Sequence, residues 1–481
     1  MKNLHFPKNA LMASAAIVAL AAFVSCSGDK NTNQPNEVKA YYDKDITERQ
    51  EATSYSAYFD LSNGIIEAYK TNPAAESLLR QSVNRLTSGE DCTVFSMADD
   101  QIETLNLKQT ALYNLIVDAS SYQRQMAPIE KTLGQIVSEG KPSLMVTDFE
   151  EYTPDKRIQH ASFAAPYFQK WLQAGRDVTF FVYNYVEGKA QTPKHLYFIV
   201  FDNKQHNLLK MIRESMNGMM PNAEFTLSPD AYSFTTEYPS AIKGGNYHAK
   251  DGHDYVTEVN ESGTENSYTK YGDEVPVEYY PFNGLWEDVV KNAAGYKEIE
   301  DDTQYTHLLR GLFFDFSNQD SYIIKKLDIR VTNVERDFQK FTAYNLFKKD
   351  QEAFAKRFGS EELTPEFDYS KGPAPIEEVK DMLVLDQKLF DDTFKKTNGK
   401  KTEVGIDFSE KFTGHVVSAS DADMLRIDVI IAESVPNISP RLDELFSFNG
   451  NNNLRDAITV TLQNMNPRGK VIYTYFLRTQ E

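Results

Sequence analysis

The sequence predicts an α/β N-terminal domain, with a mostly parallel sheet covered by helices on both faces, followed by an α+β or β-sandwich-like C-terminal region. Three observations predict it. From about residue 54 to residue 216, short strands that are apolar throughout alternate with amphipathic helices, and strands without a polar face belong to sheets buried on both sides. From about Pro221 the chain turns polar and rich in Tyr, Gly and Asn, which marks loop or irregular β-structure and a domain boundary. Beyond Tyr305 strand-like segments recur, with two helical stretches between them.

Taken in order, the chain opens with Lys2 and Lys8, an apolar run from Ala10 to Val24, and Ser25-Cys26-Ser27-Gly28. That is the charged, apolar and small-residue order of an export signal. Fifteen residues rise about 22 Å as a helix, short of the ~30 Å hydrocarbon core, so a stable transmembrane anchor is not expected. Residues 27 to 51 are polar and nearly free of aliphatic side chains, the composition of a flexible tether.

The first strand covers Ser56 to Leu61, and Thr71-Asn72-Pro73 supplies a cap and a first-turn proline for a helix with Ala75, Leu78, Leu79, Val83 and Leu86 on one face. Cys92 to Met97 is a second strand. Leu107 to Val137 reads as a long helical region that Pro128 should break or kink. A buried-type strand, Pro142 to Asp148, follows. Then come a helix at Ala165 to Ala174, strands at Val178 to Val186 and Leu196 to Phe201, and a helix from Asn207 to Met216. Later strands are expected at Leu308 to Phe316, Tyr322 to Asn333, Val404 to Phe408, Leu425 to Ala432 and Val471 to Leu477, with helices at Ile376 to Lys396 and Leu454 to Met465. The resulting division is 1–25 signal peptide, 26–51 tether, 52–220 α/β domain, 221–300 polar boundary or insertion, and 301–481 β-rich region with helical insertions.

The formal charge of −19 disfavours nucleic acid and anionic head groups as direct partners and suits a solvated surface. Only Cys26 and Cys92 occur. If Cys26 is modified, the mature chain has no internal disulfide and rests on its core. Cys92, inside an apolar strand, is expected buried and inert. Most of the 27 Tyr and 30 Phe are expected in core packing, and so is the pair Trp171 and Trp286. His248 and His253 with Asp251 and Asp254 are metal-ligand types, but a histidine pair in a Gly-rich polar stretch is more often solvated surface, and that is the expectation for them.

Phe23-Val24-Ser25-Cys26 resembles the lipobox of bacterial lipoproteins. The resemblance implies diacylglycerol on the Cys26 thiol, cleavage before it and acylation of the new amino terminus, hence a palmitate-type anchor in the cell envelope. Ser27 is not the aspartate of inner-membrane retention, so the outer membrane is favoured.

Asp60-Leu61-Ser62-Asn63-Gly64 ends a strand before a helix, and Thr147-Asp148 ends a later strand. Over about residues 52 to 217 this resembles the von Willebrand factor A domain family, which has a Rossmann-like sheet and a metal-ion-dependent adhesion site. The resemblance implies Mg²⁺ held by Asp60, Ser62 and Asp148, with Thr110, or Thr104 before it, as the distant threonine. Oxygen ligands in an octahedron with one open corner suit such an ion, and the carboxyl edge of an α/β sheet is where ligands bind. Five D-x-S triplets start at Asp60, Asp118, Asp315, Asp368 and Asp407; only the first joins a strand to a helix. Gly64 stands where the family has Ser, which removes one hydroxyl ligand and leaves its place to a water. The alternative for the same residues is Ser62 and Asn63 capping the helix while Asp60 bonds nearby backbone amides.

No G-x-S-x-G, H-E-x-x-H, G-x-x-x-x-G-K-[ST] or G-x-G-x-x-G pattern is present. The functional expectation is a lipid-anchored envelope protein that binds a protein or other ligand through the A-like domain. The alternatives are an envelope hydrolase or glycan-processing enzyme with its site in the C-terminal region, and a structural component of an envelope complex.

Overall fold

The structure, a computed structural model, describes residues 34–44, 54–88, 91–107, 109–152, 162–203, 207–228, 233–236, 246–250, 253–259, 265–271, 275–283, 309–317, 320–364, 383–409, 424–448 and 450–480, with isolated positions between them. The lipobox with Cys26, Trp286 and the triplet at Asp368 lie outside the described residues.

The first sheet is built from β1 (Ser54–Asp60), β2 (Asp91–Ala98), β3 (Gln101–Thr104), β4 (Ser143–Thr147), β5 (Asp177–Glu187), β6 (Thr192–Asp202) and β7 (Ala223–Leu227), in the order β3-β2-β1-β4-β6-β5-β7. Strands β2, β1 and β4 run parallel. Every other pairing in this sheet is antiparallel, so the expected mostly parallel sheet is a mixed one with a parallel centre. The reason is local: β5 and β6 pair from Asp177↔Asp202 to Glu187↔Thr192, and the short link at residues 188–191 closes a hairpin but cannot hold a parallel crossover.

Helices cover both faces. On one side lie α2 (Ile65–Thr71), α3 (Pro73–Thr87), α4 (Gln109–Val117) and α7 (Asn207–Ser215), meeting Ala57, Phe59, Val146 and Phe198 of the sheet. On the other, α5 (Ile129–Glu139) and α6 (Ala165–Gln173) meet Tyr58, Met145 and Phe180. Helix α3 starts as its sequence predicts, with Pro73 in the first turn and Asn72 Oδ1 accepting from the amides of Ala74 and Ala75 at 3.1 and 3.2 Å. The helix expected over 107–137 ends at Val117, well before Pro128, because Asp118 turns the chain by accepting from the Ser120 amide at 2.9 Å.

The C-terminal half also contributes to this first core. Helices α11 (Pro440–Phe446) and α12 (Asn453–Asn464) pack Leu442, Phe446, Leu454 and Ile458 among Trp171, Phe180 and Phe225.

The second half has two sheets. One has the order β14 (Tyr322–Asn333), β17 (Met424–Pro436), β18 (Val471–Gln480), β12 (Val277–Asn283), β11 (Glu265–Lys270), β10 (His253–Val259), β9 (Asn246–Lys250). The other has β15 (Leu383–Leu385), β16 (Lys401–Phe408), β13 (Leu309–Asp315), β8 (Ser233–Thr236). They share a core that includes Leu312, Phe314 and Ile406 from the smaller sheet, Leu327, Ile427 and Tyr475 from the larger, and Phe390 of α10 (Gln387–Lys396). The region thus adds two further sheets, with helices, to the mixed α/β fold. His248 and His253 lie on β9 and β10, and Asp251 lies outside the described residues.

The larger sheet is covered on its far side by α1 (Gln34–Asp43) and α8 (Glu335–Lys349), through Val38, Tyr41 and Phe338. Helix α9 (Gln351–Phe358) packs against α8 through Phe354. Part of the stretch expected to be a flexible tether, 34–43, is thus a docked helix. Tyr41 donates to Asp337 at 2.6 Å, and Tyr279 donates to Gln34 at 2.8 Å. Two aromatic hydroxyls and a buried valine outweighed the polar average of the segment.

Candidate functional site

The carboxyl ends of β1 and β4, adjacent and parallel, bring two sequence-predicted residues together. Asp60 is 2% exposed and Asp148 is 2% exposed. Asp60 Oδ1 accepts from the Ser62 amide at 2.8 Å, and Asp60 Oδ2 accepts from Thr147 Oγ1 at 2.7 Å. Burial pushes the Asp60 carboxyl up from its ordinary value against the pull of these bonds. Ser62 is buried beside it. Thr110 is on the exposed first turn of α4 and Thr104 is exposed on β3; the hydroxyl that reaches Asp60 belongs to Thr147 instead. The α2 helix begins at Gly64 without a side-chain cap, so neither Ser62 nor Asn63 caps it.

Past β4 the chain doubles over itself. Phe149 has φ of 62°, a rare conformation for a residue with a side chain, and it is fixed by burial and by stacking on Phe163 at 5.7 Å. This turn lets the Glu150 amide donate to Asp148 Oδ1 at 3.1 Å. It also places the Glu150 carboxylate in the interior, 8% exposed.

The hairpin β5–β6 supplies the counter-charge. Lys194 pairs in register with Tyr185, and Glu187 lies two residues farther along β5 on the same face. The Lys194 side chain is 7% exposed, and its Nζ is 2.7 Å from Glu187 Oε2, 2.9 Å from Glu150 Oε2 and 3.8 Å from Asp148 Oδ2. Burial opposes the ammonium, but Asp148, Glu150 and Glu187 outweigh it and raise the Lys194 pKa above its ordinary value. Burial, then the charges of Glu150 and Asp60, hold the Asp148 carboxyl well above the usual carboxylate range despite Lys194. Tyr152 donates to Glu150 at 3.2 Å, and burial raises its hydroxyl to about 12.

Gly64 closes the arrangement. Its φ is 108°, and a Cβ there would lie 2.2 Å from Glu187 Oε1. The position where the resemblance wants a serine hydroxyl is therefore filled by the Glu187 carboxylate, itself held by Lys194. For a divalent cation the donor set fits poorly, because the Asp148, Glu150 and Glu187 carboxylates already surround the Lys194 ammonium. Among the described residues, no group of three or more His, Cys, Asp or Glu converges as a metal-binding set.

Sequence reasoning missed Lys194, Glu150 and Glu187. A signal existed: Lys194 is in phase with Leu196, Phe198 and Val200, which all enter the same core, and a lysine in phase with a buried stripe needs a buried counter-charge. Cys92, expected buried, is half-buried on β2. A shallow polar cavity of about 450 Å³ lies between α3 and α7, lined by Asn84, Arg85, Gln109 and Glu214 among others, and shares no residue with the cluster.

Compared with protein-family models, curated proteins and solved structures, the chain matches none of them.

Proposed function

We propose that the chain is a lipid-anchored cell-envelope protein, held through Cys26 with the outer membrane favoured, whose first domain is a Rossmann-like, A-like binding domain. Its partner, a protein or other ligand, docks at the carboxyl ends of β1 and β4. The observation that carries this reading is the contact of Asp60 with Thr147, which joins the two parallel strands at 2.7 Å where an open α/β sheet gathers its loops. The exposed rim is Asn63 at the strand-to-helix turn, whose amide donates to the Arg124 carbonyl at 2.6 Å. Among the described residues no helix is long and apolar enough to cross a membrane, and the proposed attachment is the lipid.

Two variants test the reading. Cys26→Ser should lose fatty-acid label and leave the membrane fraction; a variant that keeps both overturns the anchor. Asn63→Arg, which changes an exposed side chain, should fold normally yet fail to retain a component that the wild type co-purifies from detergent-solubilised envelopes. Equal recovery by both proteins overturns the docking edge.

A further inference from the structure

We propose that Lys194 is a tethered cation that takes the place of a divalent metal at this strand end, so that the edge engages its partner without one. The inference rests on the reading of this edge as the binding site, but its test does not need the partner.

Three features point to it. The ammonium is 7% exposed, and Glu187 and Glu150 lie within 2.9 Å of it, a charge-assisted pairing. Asp60, the residue a metal would need first, is held by protein donors instead, one oxygen accepting from the Ser62 amide and the other from Thr147. Gly64 stands where the resemblance has a serine ligand, and Glu187 Oε1 fills the space a side chain there would use. A divalent ion entering here would have to displace a like charge already paired with two carboxylates. Lysine supplies one positive charge on a covalent stem, in register from β6, and needs no free ion.

The experiment is thermal melting of the whole mature chain with Mg²⁺, with Mn²⁺ and with EDTA, for wild type, Lys194→Arg and Lys194→Met, together with Mn²⁺ electron paramagnetic resonance on the wild type. Wild type and Lys194→Arg should melt at the same temperature in all three solutions, and the free Mn²⁺ signal should be undiminished. Lys194→Met uncovers Asp148, Glu150 and Glu187, and its melting temperature should rise by roughly 5 °C at a metal concentration about 100-fold over its dissociation constant. A wild type that melts higher with Mg²⁺ or that consumes the Mn²⁺ signal overturns the proposal while leaving partner binding at this edge intact. So does a folded Lys194→Met that ignores metal. If Lys194→Met does not fold, the wild-type Mn²⁺ signal decides alone.

Discussion

Three of the five D-x-S triplets have the same local geometry. Asp60, Asp118 and Asp315 each accept, through Oδ1, from the amide two residues on, at 2.8, 2.9 and 2.8 Å. At these three positions the triplet makes an Asx turn where a strand or helix stops. Asp60 differs in being buried and in using its second oxygen on the Thr147 hydroxyl; Asp118 is exposed, and Asp315 is half-buried with its second oxygen 2.9 Å from Lys401 Nζ. The sequence made Asp60, Ser62 and Asp148 legible because they lie at predicted strand ends. It hid Lys194 and Glu187, whose meeting depends on the register of a hairpin. Gly64 is the residue on which this geometry is most exposed to test. Gly64→Ala or Gly64→Ser adds strain at φ of 108° and pushes Glu187 away from Lys194. The expected cost is on the order of 1–3 kcal/mol in urea melts. Glu187→Ala in the same chain should restore the steric part, leaving the double variant less destabilised than the two single losses added together. A neutral Gly64→Ala would mean the Glu187 carboxylate is not held where it sits.

At the scale of elements, the central parallel strands and their helices were readable because each carries an apolar stripe of one period. The hairpin was readable only as two strands: nothing in their composition sets direction, and the short link at residues 188–191 was the one cue. The start of α5 carries a consequence for pH. Glu151 reaches back to that helix, accepting from the Glu130 amide at 3.0 Å, yet burial pushes its carboxyl up to about 7, with the charges of Glu130 and Asp60 adding to the rise. An unfolded glutamate ionises near 4.3. Between that value and about 7 the unfolded chain has lost this proton while the folded chain keeps it. Unfolding then releases a proton, so stability falls as pH rises across that window and levels off above it. Asp60 and Asp148, also raised, slope the same way, so the share of Glu151 is the difference between wild type and Glu151→Gln. Chemical denaturation at a series of pH values should show a shallower decline for the glutamine variant. Parallel curves would mean that Glu151 titrates as an ordinary surface carboxylate.

Over the whole molecule, the linear division at residues 220 and 301 does not match the packing. Tyr322 donates to the Leu462 carbonyl at 3.2 Å, Tyr197 donates to the Leu445 carbonyl at 2.9 Å, and α11 and α12 close the face of the first sheet that α5 and α6 leave open. Such contacts span more than a hundred residues of chain, which is why local periodicity could not reveal them. Phe446 is the most informative member. It is 1% exposed, and its ring lies 5.2 Å from Phe180, 5.1 Å from Phe225 and 6.0 Å from Tyr197. Phe446→Ala removes a buried aromatic from a site lined by three others, where the hole can collapse only in part, so the expected loss is about 3–5 kcal/mol. The location of the damage separates one cooperative unit from two independent domains. Hydrogen exchange read by mass spectrometry should speed up in β5 and β6, more than 200 residues away in sequence, because their buried face loses its cover. If exchange rises only within α11 and α12 while β5 and β6 keep their protection, the C-terminal helices are a cover laid over a domain already complete without them.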